Sequence, residues 1–193
     1  MDKIRLFVAV DIPGELRDAI GREMERFGRI EGVKWVRPSQ VHLTLKFLGN
    51  MDADNLPLLS ERLWRAAAAH PPLCLRLSGS GAFPSIRKAR VLWLGCTGDL
   101  QAVSSLAEDI DKKAARLGVR REERRLKPHL TLARCRDPRD LQEIVEGWGN
   151  WLTGLGEPSF RVDRFILYRS ILNPAGAEYI KIEEFPLTGG EVA

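Results

Sequence analysis

VHLTLKFLG at residues 41–49 and PHLTLARC at residues 128–135 contain the same tetrapeptide, His-Leu-Thr-Leu, whose second copy (129–132) stands 87 residues after the first (42–45). Along an extended strand, side chains alternate between two faces. His42 and Thr44 therefore share one face, with Leu43 and Leu45 on the other, and His129 and Thr131 stand in the same way against Leu130 and Leu132. Leucines anchored in a core would hold an imidazole and a hydroxyl rigidly on the open side. A single copy of such a run reads as a half-buried strand with an exposed histidine. Two identical copies, one in each half of a 193-residue chain, are not demanded by packing, which tolerates many residues at the outward positions.

Outward from the two copies, residues 4–10 mix β-branched and aromatic side chains and read as a strand, followed by an amphipathic helix that opens at Pro13. Residues 33–50 give two short strands separated by Pro38-Ser39, and residues 54–69 a helix with Leu56, Leu59, Leu63 and Ala67 at helical spacing. Strands are expected at 73–77 and 89–94, with the Gly- and Ser-rich run 78–85 as a turn, and helices at 98–117 and 138–148. The last part reads as strands ending near Phe185, with a hairpin that turns at Asn173-Pro174-Ala175-Gly176. Each tetrapeptide is followed by a helix and more strands. The expected fold is therefore α+β, with two pseudo-symmetric sheet-plus-helix lobes around a central cleft, residues 1–193 forming a single bilobal domain with one motif per lobe.

Composition is compatible with this and excludes several classes. With 44% hydrophobic and 29% charged residues the chain is an ordinary globular sequence, and its formal charge of +4 mildly favours an anionic partner. Cys74, Cys96 and Cys135 are odd in number and widely spaced, which fits neither a disulfide framework nor a Cys-x-x-Cys zinc site and suits a reducing cytoplasm. The apolar N-terminal stretch is broken by Asp11 and Pro13, unlike a signal peptide, and no segment has the length to span a bilayer.

Near neutral pH one imidazole can take a proton while a second, held protonated, gives one, so two facing histidines can serve both ends of a displacement. Threonine hydroxyls beside them can donate to oxygens on which charge grows. A zinc site wants three or four ligands and each copy offers one, so no metal is expected. The third histidine, His70, closes a helix in AAAAHPP and is expected to cap carbonyls or face water.

With these motifs the chain resembles the 2H phosphoesterase superfamily, named for its two His-x-Thr-x motifs, and within it the RNA 2′,3′-cyclic phosphodiesterase family, also called 2′,5′ RNA ligases. The resemblance runs through RLFVAVDIP, WVRPSQVHLTLKFLG, FPSIRKARVLWLG, KPHLTLAR and ILYRSILNPAGAEYIKIEEFPL, in that order and over nearly the whole chain. It implies the bilobal 2H phosphoesterase fold, no cofactor, and hydrolysis of RNA 2′,3′-cyclic phosphate ends to 2′-phosphomonoesters, with 2′,5′ ligation as the reverse reaction. In that scheme His42 is the proton donor, His129 the proton acceptor, and Thr44 and Thr131 hold the phosphate.

Arg134, beyond Thr131 on the same strand, is a further phosphate-binding candidate expected on the side of His129, and Lys46 is expected beside His42 and Thr44. The basic residues Arg120, Arg121, Arg124, Arg125 and Lys127, with Arg87, Lys88 and Arg90, are candidates to track an RNA backbone, and Phe47, Trp35 and Tyr168 to stack a base. The expected partner is RNA bearing 2′,3′-cyclic phosphate ends, met by a monomer with no membrane contact. Two alternatives are a non-catalytic protein that holds RNA ends and a 2H enzyme that acts on a small cyclic nucleotide.

Overall fold

The computed structural model describes residues 2–173 and 176–190. The first strand, β1 (Lys3–Asp11), sorts its side chains by parity: Ile4, Leu6, Val8 and Val10 enter the main core, while Phe7 and Ala9 form a second, small cluster with Ile166 and Tyr168. Helix α1 (Gly14–Phe27) follows and buries Leu16, Ile20 and Met24, one stripe at helical spacing. Then come the short strand β2 (Val33–Trp35), a single 3-10 turn at Pro38–Gln40, and β3 (His42–Asp52), which begins at the first histidine.

Helix α2 (Leu56–Ala69) leads to the hairpin of β4 (Leu73–Phe83) and β5 (Ala89–Gly98), and α3 (Leu100–Ala115) leads through a basic loop to β6 (His129–Arg139). Helix α4 (Gln142–Gly154), β7 (Ser159–Val162), β8 (Arg164–Asn173) and β9 (Gly176–Pro186) complete the chain. Pro174 and Ala175, the centre of the expected β8–β9 turn, lie outside the described residues.

Two segments extend further as strand than their composition indicates. The run 78–83, expected as a turn, continues β4 past a bulge between Leu77 and Ser80, where Gly79 takes a positive φ of 70°. Pro138, expected to open a helix, instead stands near the end of β6, and α4 begins four residues later.

The described strands form one antiparallel sheet in the order β7-β4-β5-β6-β3-β1-β8-β9, with β2 also on β6. At its centre β3 and β6 meet through one paired position, Leu43 opposite Leu130. The order mirrors about that point, so the two lobes are β6-β5-β4-β7 and β3-β1-β8-β9. They are not the two halves of the chain, because each lobe draws strands from both. Helices pack on one side of the curled sheet, and Leu43, Leu130 and Leu132 are fully buried there, with Leu45 nearly so. Burial of each leucine contributes about 1.5–3 kcal/mol, enough to fix the backbone that carries the histidines.

Candidate active site

Both tetrapeptides open their strands in the same way, and their burial runs in step over the first nine residues: polar positions 1 and 3 half-buried, positions 2, 4 and 5 buried, position 6 exposed. The reason is a β-bulge at the fourth residue of each copy. Opposite β1, Thr44 pairs with Ala9 but Lys46 pairs with Val8, so Leu45 is the extra residue; opposite β5, Thr131 pairs with Trp93 and Ala133 with Leu92, so Leu132 is extra. The Leu132 carbonyl, freed by the bulge, accepts the Val36 N–H at 2.9 Å.

The bulge decides where the next side chains go. Lys46 does not join His42 and Thr44, as alternation predicts, because it is turned to the helix side with Val8. There its Nζ lies 2.8 Å from Asp111 of α3 and donates to the Arg120 carbonyl at 2.8 Å. In the second copy the same shift has the opposite result. Arg134 is expected beside His129 and Thr131, but it stands three residues after Thr131, an odd spacing that by alternation alone would turn it away from the cleft. The bulge returns it to the face of His129, where it lines the cleft and has no ion pair or hydrogen bond among the described residues. Phe47 holds the equivalent place in the first lobe and is 56% exposed.

His42, Thr44, His129, Thr131 and Arg134 thus line one cleft of about 1410 Å³. The His129 Nδ1 donates to the Lys127 carbonyl at 2.6 Å, two residues upstream, and the His42 ring is likewise bonded to the backbone of Gln40. A carbonyl only accepts, so it fixes the proton on Nδ1 and leaves His129 Nε2 with a free lone pair. His42 Nε2 lies 3.1 Å from the Thr44 hydroxyl.

The histidines stand in different surroundings. His42 stacks on Phe7, centroids 5.1 Å apart, with the edge of Tyr179 at 5.5 Å; His129 meets Phe83 edge-on at 5.2 Å, with Trp93 behind it. Burial, with a smaller contribution from the Arg134 cation, lowers the pKa of both against the backbone bonds that raise it, that of His42 to about 4. Only His42 has an opposing carboxylate: Asp11, its cross-strand partner, favours the protonated ring. Asp11 is itself held by the Tyr168 hydroxyl at 2.6 Å and by Lys181 at 3.1 Å.

Of the other sequence candidates, Trp35 packs against Phe27 and Trp148 and donates to the Gly28 carbonyl, away from the cleft. Tyr168 is buried against Phe7 and bonded to Asp11, so neither ring presents a face to a base. His70 neither caps a carbonyl through its ring nor faces open water: its Nε2 lies 3.4 Å from Asp109, with the ring largely covered. Within the basic loop Arg121 is paired with Asp111, Arg120 with Glu123 and Glu122 with Lys46, while Arg124, Arg125 and Lys127 line the cleft together with Arg90 of β5. Phe7, Asp11, Phe83, Trp93 and Tyr179 were not singled out from the sequence. Phe7 and Asp11 were legible as the odd positions of β1, once β1 is known to border β3. No cluster of three or more His, Cys, Asp or Glu among the described residues is arranged to hold a metal, and no described helix is long and apolar enough to cross a membrane.

Replacing Arg134 by alanine is expected to lower kcat/KM on a phosphodiester about 10- to 100-fold through loss of charge-assisted hydrogen bonds, with lysine restoring only part. Steady-state kinetics of the two variants check this.

A family model described as "LigT like Phosphoesterase" matches the chain twice, at residues 10–93 and 95–179. The chain is 34% identical over 186 residues to an RNA 2′,3′-cyclic phosphodiesterase of Methanothermobacter thermautotrophicus, covering 96% of this chain and all of that one. Its fold is similar to that of the Thermus thermophilus protein TT0787 (TM-score 0.78, 30% identity, 96% and 99% of the two chains). It is similar also to that of Escherichia coli LigT complexed with 3′-AMP (TM-score 0.76, 29% identity, 97% and 99%).

Proposed function

Because the chain belongs to the LigT-like phosphoesterase family, we propose that it hydrolyses 2′,3′-cyclic phosphodiester ends of RNA to 2′-phosphomonoesters, without a metal ion, by acid–base catalysis between His129 and His42. The observation that supports this reading is the pair of imidazoles lining one cleft, each tied to a backbone carbonyl, with the Arg134 side chain unpaired beside His129. The name of the Methanothermobacter relative agrees with such a substrate, and the 3′-AMP held by the E. coli protein is a nucleoside monophosphate, though with its phosphate on O3′.

Water attacks phosphorus while His129 Nε2 takes its proton. The P–O3′ bond breaks, and His42 Nε2 gives a proton to the departing O3′, leaving the phosphate on O2′. Asp11 supports the assignment of His42 as acid, since with the Gln40 backbone bond it works against the burial that strips the proton from that ring, and His129 has no such carboxylate. The arriving phosphodiester anion adds a second negative charge beside His42, so substrate and proton enter together. Thr44, Thr131 and Arg134 meet the non-bridging oxygens, where charge grows. A 5′ hydroxyl in place of water turns the same steps toward 2′,5′ ligation.

The test is incubation of the purified protein with a short RNA ending in a 2′,3′-cyclic phosphate, in excess EDTA. The expected product is the 2′-phosphate alone, at a rate the chelator does not change. A 3′-phosphate product, or turnover that stops with chelation, overturns the mechanism; tight binding without turnover makes the protein a holder of RNA ends.

A further inference from the structure

Each histidine is held by the backbone two residues before it, Gln40 for His42 and Lys127 for His129, but these two braces are supported differently. Gln40 closes the 3-10 turn Pro38–Gln40, where its own N–H donates to the Arg37 carbonyl at 2.8 Å and the next N–H, of Val41, to the Pro38 carbonyl at 3.1 Å. Its side chain also donates to the Ala177 carbonyl. Lys127 ends the loop between α3 and β6, and among the described residues no backbone-to-backbone hydrogen bond outside the strands is made by residues 120–128. What grips that loop comes from the strand of the first motif. Lys46 has three N–H donors and three acceptors around them: Asp111 of α3 at 2.8 Å, the Arg120 carbonyl at 2.8 Å and Glu122 at 3.3 Å. Asp111 holds the loop again, through Arg121 Nε at 2.9 Å and the Glu122 N–H at 3.2 Å. Farther along, Leu126 packs on the main core. In the second copy of the motif the place of Lys46 is taken by Ala133, fully buried. The turn before His42 carries its own bonds and needs no such lysine.

Resting on the proposed reaction for its effect on rate, we infer that Lys46 is a positioning residue for His129: it fixes the loop whose Lys127 carbonyl keeps the proton of that ring on Nδ1 and leaves the Nε2 lone pair free. Lys46 touches no reacting atom in this scheme. The packing of Leu126 is not directional, so it holds the loop down without setting how the following carbonyl points. The bonds at Arg120, Arg121 and Glu122 are directional, and they set the path of the chain from there to Lys127. A ring that loses its carbonyl partner is free to carry the proton on Nε2, the nitrogen that free histidine favours. Protonated there and neutral, it has no lone pair on that atom with which to take a proton from water. The lobe of His42 thus serves both histidines, carrying one on its cleft face and aligning the other from behind.

The test uses Lys46→Met/Asp111→Leu, which removes the clamp without leaving its buried charges unpaired, and Lys46→Met alone, in which Asp111 keeps Arg121 and the Glu122 N–H. Long-range NMR correlations between ring protons and ring nitrogens, recorded at mildly alkaline pH, report the tautomer of each histidine. In the wild type the His129 proton is expected on Nδ1. In the double variant it is expected to spread over both nitrogens, while the His42 ring, braced by its own turn, keeps its wild-type signals; the single variant should show a smaller change in the same direction. With adenosine 2′,3′-cyclic phosphate, kcat of the double variant is expected to fall about tenfold or more with KM little changed. A His129 ring unchanged in both variants, or both rings altered together, overturns the positioning role. The tautomer is read without turnover, so a changed His129 ring beside an unchanged kcat upholds that role and counts instead against His129 as the base.

Discussion

His42→Ala and His129→Ala are each expected to lower turnover of a 2′,3′-cyclic phosphate by at least about a hundredfold, without loss of the fold. Both rings stand half-buried on the cleft face, while the strands that carry them are fixed from behind by leucines, so their removal takes away chemistry more than packing. The pH profile carries the rest of this prediction. Activity needs one ring protonated and the other neutral, and burial lowers the pKa of both. Below the lower value the base is lost, and above the upper value the acid is lost. The bell in kcat/KM is therefore displaced to the acid side of pH 6.5, while the profile of kcat, read with the phosphodiester anion bound, shifts back toward neutrality. Rates that hardly change in either variant would sink the paired-histidine mechanism. A kcat/KM optimum well above 7 would sink the ionisation scheme alone.

Asp111→Ala is expected to cost about 3 kcal/mol of stability, because it takes the buried carboxylate from the Lys46 ammonium, whose side chain is only 2% exposed, and leaves it the exposed Glu122 at 3.3 Å and the Arg120 carbonyl. Asp111 also accepts from Arg121 Nε at 2.9 Å and from the Glu122 N–H at 3.2 Å, so the same change frees the basic loop. Burial pushes the Asp111 carboxyl up, yet the bonds from Lys46 and Arg121 outweigh it and hold the pKa below its ordinary 3.8. Its contribution is thus complete above that value and is lost as pH falls through the lowered folded value. Urea unfolding of Asp111→Ala beside Lys46→Met/Asp111→Leu measures the effect: the double variant should recover most of the loss, because matched apolar groups leave no charge unpaired. A loss under about 1 kcal/mol in the single variant would mean that water reaches Lys46.

The comparison of sequence with structure turns on the bulges. Alternation placed His42, Thr44, His129 and Thr131 correctly because those residues precede the extra one in each strand. It failed at Lys46, the first position after it. An inserted residue leaves no mark in hydrophobic pattern: Leu45 and Lys46 are both buried on the helix side, and only the partner strand reveals which is unpaired. The Gly- and Ser-rich end of β4 misled for a related reason. Gly79 does serve a φ that disfavours side chains, but the strand resumes on the far side of the bulge. The helices were legible because their apolar stripes are long, whereas the aromatic surroundings of the histidines come from strands distant in sequence, a contact no local pattern encodes.

The mirrored strand order also sets the order in which a chain growing from the ribosome can complete its parts. The lobe that carries His129 needs β4 to β7 and has all its strands once Val162 has emerged. The lobe that carries His42 starts earlier, with β1 and β3, yet its outer strands β8 and β9 follow β7, so the open edge of β1 waits until every strand of the other lobe has been made. An unpaired strand edge invites pairing with other chains. The half of the cleft whose motif is translated first is thus the half that closes last, and the nascent chain is most exposed to misassembly along β1 until residues 164–186 arrive.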